Sequence, residues 1–202
     1  MINFPENEKK LKSKISSYKS ALNKEKKTHG YINDGSGKRY LLFCLYFVLD
    51  DLKKSKDYFE WYASEFSDDV GEPIQKLCWA LSLQRMGKTS EAKLKLAELM
   101  LSNLYIIPQI IGRKIKPYDI WHSSTDAHID YINYLPQMVR NSIQQNEIDW
   151  MKKLYDSFEF TRIRKRYIEI FHELQNVKDI EARRVLLNES YSLLNQLFEE
   201  NS

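Results

Sequence analysis

The side chains of this chain best suited to chemistry gather between residues 113 and 136, in the stretch RKIKPYDIWHSSTDAHIDYINYLP. Within it stand Tyr118, Asp119, Trp121, His122, Asp126, His128, Asp130, Tyr131 and Tyr134. Two histidines among carboxylates are the raw material of a metal site. His122 and His128 are six residues apart, however, which fits neither the i, i+4 pair that grips zinc from one helix face nor a tight ligand run. Acid–base groups are present, but no nucleophile stands with an evident base beside it. The chain also lacks a phosphate loop, a dinucleotide fingerprint and a nucleophile elbow. No catalytic residue, metal or cofactor is therefore expected. A small hydrolase or metal-dependent enzyme at Tyr118 to Tyr134 is the third of three functional readings.

The same stretch has no clean helical or strand period, and loops of this length inside a compact domain are uncommon and often functional. Two accounts of it stand side by side. In one, Ile120, Trp121, Ile129 and Ile132 fold the segment onto neighbouring helices as a plug, while its polar groups cap and hydrogen-bond. In the other it forms a ligand or partner surface. Trp121, His122 and the tyrosines are costly to expose together and costly to bury without partners for every ring N–H and hydroxyl. A partly covered groove meets both constraints. Its expected place is where Tyr118 to Tyr134 meets a second aromatic stretch, Tyr58 to Phe66. The expected partner-binding residues are Tyr58, Trp61, Tyr62, Tyr118, Asp119, Trp121, His122 and His128.

Cationic side chains form two further clusters. From about Glu6 to Lys27 an amphipathic helix is predicted, with Leu11, Ile15, Tyr18 and Leu22 as a narrow apolar stripe. Its other faces carry Lys9, Lys10, Lys12, Lys14, Lys19, Lys24, Lys26 and Lys27. Further on, Arg162, Arg164, Lys165 and Arg166 fall within one helical turn between Phe160 and Tyr167. Arginine forks suit phosphates, which supplies the second reading, a nucleic-acid-associated protein. Side chains so placed on one turn point in several directions, though, and pairing with Glu159, Glu169 and Glu173 accounts for them as well. Any nucleic-acid binding through these residues is expected to be weak, non-specific and salt-sensitive.

The elements that must position all this are helices. Residues 73–104, PIQKLCWALSLQRMGKTSEAKLKLAELMLSNL, predict two antiparallel helices with a tight turn at Gly87. Leu77, Ala80, Leu81 and Leu83 mark the apolar face of the first, and Pro73 suits its first turn. Gly87 closes that helix, Thr89 or Ser90 is placed to cap the next, and Ala92, Leu96, Leu99 and Met100 face back. Small residues at Ala80 and Ala92 permit a close approach of the two backbones.

This hairpin resembles a tetratricopeptide repeat. Counting from Pro73, the family's small eighth residue falls on Ala80, its large apolar eleventh on Leu83, its glycine on Gly87 and its alanine at the twentieth on Ala92. Leu96 and Leu99 take the twenty-fourth and twenty-seventh positions. Lys76 replaces the family's tryptophan, and Leu104 its proline. A shift of 34 residues aligns Phe43 with Leu77, Cys44 with Cys78, Phe47 with Leu81 and Ala63 with Ala97. Residues 39–72 thus look like a diverged first copy, with Tyr46 and Tyr58 where Ala80 and Ala92 stand. The resemblance implies a protein-interaction module or adaptor that holds a partner peptide or protein in a groove, which is the first functional reading.

Around this centre the chain divides into a basic N-terminal helix and loop (1–37), two hairpins and a short helix (38–112), the irregular segment (113–143) and a C-terminal helix pair (144–202). Helices are expected at Lys38 to Asp51, apolar all round and therefore the most buried, and at Lys54 to Phe66. Pro108 implies a kink, or a helix starting near it, within residues 103–112. One long helix is expected from Gln144 to Asn176. A last helix is expected from Asp179 to Glu199, with Leu187, Tyr191, Leu194, Leu197 and Phe198 buried. The composition, 43% hydrophobic and 29% charged, fits a single all-α globular domain rather than a disordered chain. A net charge of +3 is too small to indicate nucleic acid by itself. No run is long enough to span a membrane. Cys44 and Cys78 on apolar helix faces point to buried thiols in a reducing compartment, hence to the cytoplasm.

Overall fold

The computed structural model describes residues 4, 5 and 7–197. These form an all-α structure, with no strand among the described residues. Ten α-helices run in the order α1 (Glu8–His29), α2 (Lys38–Leu49), α3 (Leu52–Glu65), α4 (Pro73–Arg85), α5 (Thr89–Ser102), α6 (Ile106–Ile110), α7 (Gln137–Ser142), α8 (Gln145–Tyr155), α9 (Phe158–Glu173) and α10 (Ile180–Ser192). Short 3-10 turns occupy Thr125–Ala127, Ile129–Tyr134 and Leu193–Leu197.

Local chemistry sets most of the boundaries. The Asn7 side chain accepts from Lys9 N at 2.8 Å and starts α1, while Glu6 lies outside the described residues. In the loop before α2, Asp34 is buried and accepts from the backbone N–H of Lys38 and Arg39, at 3.0 and 2.7 Å. It thereby satisfies two of the orphan donors at that helix start. Gln75 Oε1 accepts from Glu72 N at 3.0 Å ahead of α4, with Pro73 as its first residue. Gly87 has a φ of 73°, as the turn requires, and its N–H and that of Lys88 reach back to the carbonyls of Gln84 and Leu83. The helix after it starts without help from Thr89 or Ser90. Lys88 stands at the cap position, and no side chain caps it.

The core is built on α4 and α5, which pack on each other more extensively than any other pair of helices. Both Ala80 and Ala92 are fully buried. Ala92→Leu is expected to cost about 1–3 kcal/mol by overpacking, read as a lowered urea midpoint; an unchanged midpoint would mean that the interface has slack. Against α4 lies α2, apolar and buried from Leu42 to Phe47. Yet α4, not α2, is the most buried helix: ten of its 13 residues are buried, Gln75, Lys76 and Ser82 among them. The reason is position, since α2, α3 and α5 all pack on it. Cys44 and Cys78 are both buried free thiols on this α2–α4 face. Burial, with the Cys44 thiol beside it, pushes the Cys78 thiol well up.

The C-terminal part departs from expectation twice. The predicted long helix is broken at Asp156–Ser157 into α8 and α9. Ser157 leaves helical geometry and its hydroxyl accepts from Phe160 N at 3.3 Å, so a local cap outcompetes helix continuation. On α10, Asp179 caps by accepting from Ala182 N at 2.8 Å, as expected. The buried face, however, runs through Leu186, Ser190, Leu193 and Leu197, one residue earlier than expected at three of these positions. Leu187 and Leu194 are only partly buried and Tyr191 is exposed. Phe198 and Glu199 lie outside the described residues. Pro108 falls within α6, which begins two residues before it.

Candidate partner groove

The irregular segment is held down along its length by bonds to helices on either side. Tyr118 N donates to the Tyr105 hydroxyl at 3.0 Å, and Trp121 N donates to the Phe171 carbonyl at 2.9 Å. Asn103 is almost wholly buried and spends its entire side chain on this task. Its amide nitrogen donates to the carbonyls of Asp126 and His128, at 2.6 and 3.2 Å, and its oxygen accepts from Tyr105 N and Ile106 N, at 3.0 and 3.1 Å. One residue thus starts α6 and anchors the segment.

The structure separates the residues that the sequence grouped. On α3, Tyr58 and Tyr62 are core residues, packed around Phe43 with Phe59 and Trp79. The Tyr58 hydroxyl, whose titration burial pushes far up, donates to the Arg39 carbonyl at 2.7 Å. Trp61 is half-buried beside Tyr58, in a depression shared with Lys19, Asn23 and Asp57. None of the three forms a surface with residues 118–134, because the aromatic face of α3 is turned onto α2 and α4. Tyr118 instead packs on Tyr105, 5.8 Å between ring centroids. The carbonyl of Asp119 bonds His172 Nδ1 at 2.8 Å, and its carboxylate accepts from Gln175 at 3.0 Å. His122 and His128 do meet, with ring centroids 4.3 Å apart. His122 Nδ1 is buried without a hydrogen-bond partner, and burial, with His128 second, lowers the proton affinity of its ring. Among the described residues no group of three or more His, Cys, Asp or Glu is placed to hold a metal.

Trp121 is the predicted site residue that faces a large groove. Its ring stacks on Phe171 at 5.9 Å, and the Arg183 guanidinium sits 5.3 Å from its centroid. The groove, about 720 Å³, runs between α4–α5 and α9–α10, with residues 121–126 closing one end. Trp121, Phe171, Tyr167, Leu187, Tyr191 and Leu194 make one wall apolar and aromatic. Lys76, Lys95 and Glu98 make the opposite wall charged. Lys95 pairs with Glu98 at 2.8 Å and lies 4.3 Å from the Trp79 ring centroid. Only Trp121 in this set was marked by sequence as a binding residue. The signal that could have found Lys76 was its place in the apolar run of α4, at the position where the repeat family carries tryptophan. A second cleft, about 420 Å³, lies where Tyr131, Tyr134 and Asp126 approach Tyr40, Cys44 and Glu72. Burial raises the Glu72 carboxyl there, and nearby Asp126 adds to the effect.

The arginines of α9, and two of the lysines of α1, are engaged within the protein. Arg166 bonds Glu189 at 2.6 and 2.7 Å and also reaches Glu169 and Glu173. Arg164 lies 3.8 Å from the Tyr155 ring centroid and donates to the Tyr155 carbonyl. On α1, Lys12 pairs with Glu8 and Lys26 with Glu65. No described helix is long and apolar enough to cross a membrane. Comparisons of the chain with known family models, with curated proteins and with solved structures find no match.

Proposed function

We propose that this protein is a protein-interaction module of the tetratricopeptide-repeat-like type, which takes a segment of a partner protein in the groove between α4–α5 and α9–α10. The observation that carries this reading is the aromatic wall of that groove. Tyr191 is 74% exposed and lines it together with Trp121, Tyr167 and Phe171. Aromatic residues with polar tips, clustered at a concave surface, are the usual anchors of protein interfaces. The α4–α5 hairpin supports the repeat-like part of the reading through the left-handed Gly87 and the buried Ala80 and Ala92. The groove, rather than the fold, carries this reading. Two unpaired buried thiols support a reducing, cytoplasmic setting.

Nucleic acid is not the favoured partner, because the arginines of α9 are spent on carboxylates and carbonyls of the protein itself. The test is site-specific photo-cross-linking in the native cell, with a benzophenone side chain at position 191 or, as control, at exposed Tyr31. The expected result is one dominant protein adduct from position 191, mapped to a single partner segment and abolished by Trp121→Ala in a folded variant. Adducts of equal number and identity from both positions would sink the reading.

A further inference from the structure

We propose that the partner segment presents an acidic side chain among apolar ones, and that Lys76 receives its carboxylate. This rests on the interaction reading above and adds the chemistry of the ligand.

Lys76 lies on α4 and is only 7% exposed, yet it lines the groove. Among the described residues its ammonium has no hydrogen bond and no ion pair, while the other cations around the groove are engaged. Lys95 holds Glu98, Arg39 holds Asp69, and Arg183 donates to the carbonyls of Leu174 and Val177. An ammonium taken out of water without a counter-ion is costly to the protein that carries it. Burial accordingly lowers the proton affinity of this amine.

The carboxylates nearby do not remove that cost. Of the charges acting on Lys76, Glu98 is the strongest, and Lys95, its own ion-pair partner, is next and opposes it. Asp69 follows, and it is bound at once by Arg39 and by the Tyr40 hydroxyl. Asp126 is the last of the four. A single negative charge brought into the groove would therefore find one uncommitted cation.

The facing wall narrows the ligand further. An apolar segment alone would cover Trp121 and Tyr191 but strip the remaining water from Lys76. A free inorganic anion would meet Lys76 but leave the aromatic wall wet. A phosphorylated side chain brings close to two negative charges to a place where the described residues supply one free cation and three carboxylates. An aspartate or glutamate flanked by large apolar residues satisfies both walls at once.

The experiment is selection of a random-peptide phage library on the full chain, followed by binding measurements on the selected peptides. Each peptide is made with its acidic residue and with the corresponding amide, and tested on wild type, Lys76→Met, Lys76→Gln and Tyr191→Glu. The expected result is enrichment of Asp or Glu beside Leu, Ile, Phe or Trp. Binding should fall roughly 10–150-fold on Lys76→Met, with the amide peptide equally weak on wild type and no weaker on the variant. Thermal midpoints of Lys76→Met and Lys76→Gln at or above that of wild type exclude misfolding as the cause. Peptides that need Tyr191 but carry no acid, or that ignore both Lys76 variants, overturn this inference and leave the interaction reading standing. Failure to enrich any peptide, or enrichment only of peptides indifferent to Tyr191→Glu, overturns both.

Discussion

Arg85→Ala is expected to lose about 3–5 kcal/mol of folding stability. Glu147 carries a fully buried carboxylate, and Arg85 supplies its counter-charge through two bonds, Nε to Oε1 at 2.8 Å and Nη2 to Oε2 at 3.1 Å. The same guanidinium reaches Asp50 through Nη1 and the Ser142 carbonyl through Nη2, both at 2.7 Å, and lies 4.3 Å from the Phe47 ring centroid. Removing it strands a charge away from water and unfastens the ends of α2, α4 and α7 and the start of α8 together. Lysine is no substitute, because a point charge cannot serve a bidentate pair and two further acceptors. Replacing both partners, as Arg85→Met with Glu147→Leu, should recover most of the loss, since a buried pair exchanged for apolar side chains is often neutral. Urea denaturation of the single and double variants measures this. A loss under about 1 kcal/mol for Arg85→Ala would show that Glu147 finds water or another partner.

Phe43→Ala is the second large effect, also expected near 3–5 kcal/mol. Its ring stacks on Phe59 at 4.9 Å, meets the edges of Tyr58 and Tyr62 at 5.2 and 5.0 Å, and tilts against Trp79 at 5.0 Å. A cavity there cannot collapse easily, because Tyr58 is fixed by its bond to the Arg39 carbonyl and Trp79 lies under Lys95. Phe158→Ala is the internal control: that ring is exposed and should change stability by no more than about 0.5 kcal/mol. Equal midpoints for the two variants would count against a core shared by α2, α3 and α4.

What could be read from the sequence was what local chemistry decides. Gly87, Pro73, Asp179 and the small residues Ala80 and Ala92 each act through their own backbone geometry or size, and each is found in the expected setting. The continuous helix over residues 144–176 failed because an apolar rhythm ran through Trp150, Leu154 and Phe158 while Ser157 capped a new helix inside it. The face of α10 failed because two apolar stripes lie side by side on it, and the pattern alone does not say which is turned inward. For the site, Trp121 was recognisable as a large anchor. Tyr58 was misplaced because a buried tyrosine needs an acceptor from elsewhere in the chain, and the Arg39 carbonyl is not visible in local sequence; Tyr62 was misplaced because the rings that cover it, Phe43 and Trp79, come from other helices. Lys76 was passed over because a lysine in an apolar helix reads as an interruption until the groove beside it is seen.

Asn103 has a bearing on where this chain can be cut or lengthened. Its bonds to Asp126 and His128, with those of Tyr118 to Tyr105 and Trp121 to Phe171, divide the long irregular crossing into short closed loops. Each tether removes freedom that a strand needs in order to enter a protease cleft or to accept inserted residues. The stretch that looks most like a linker is thus a poor place to open the backbone.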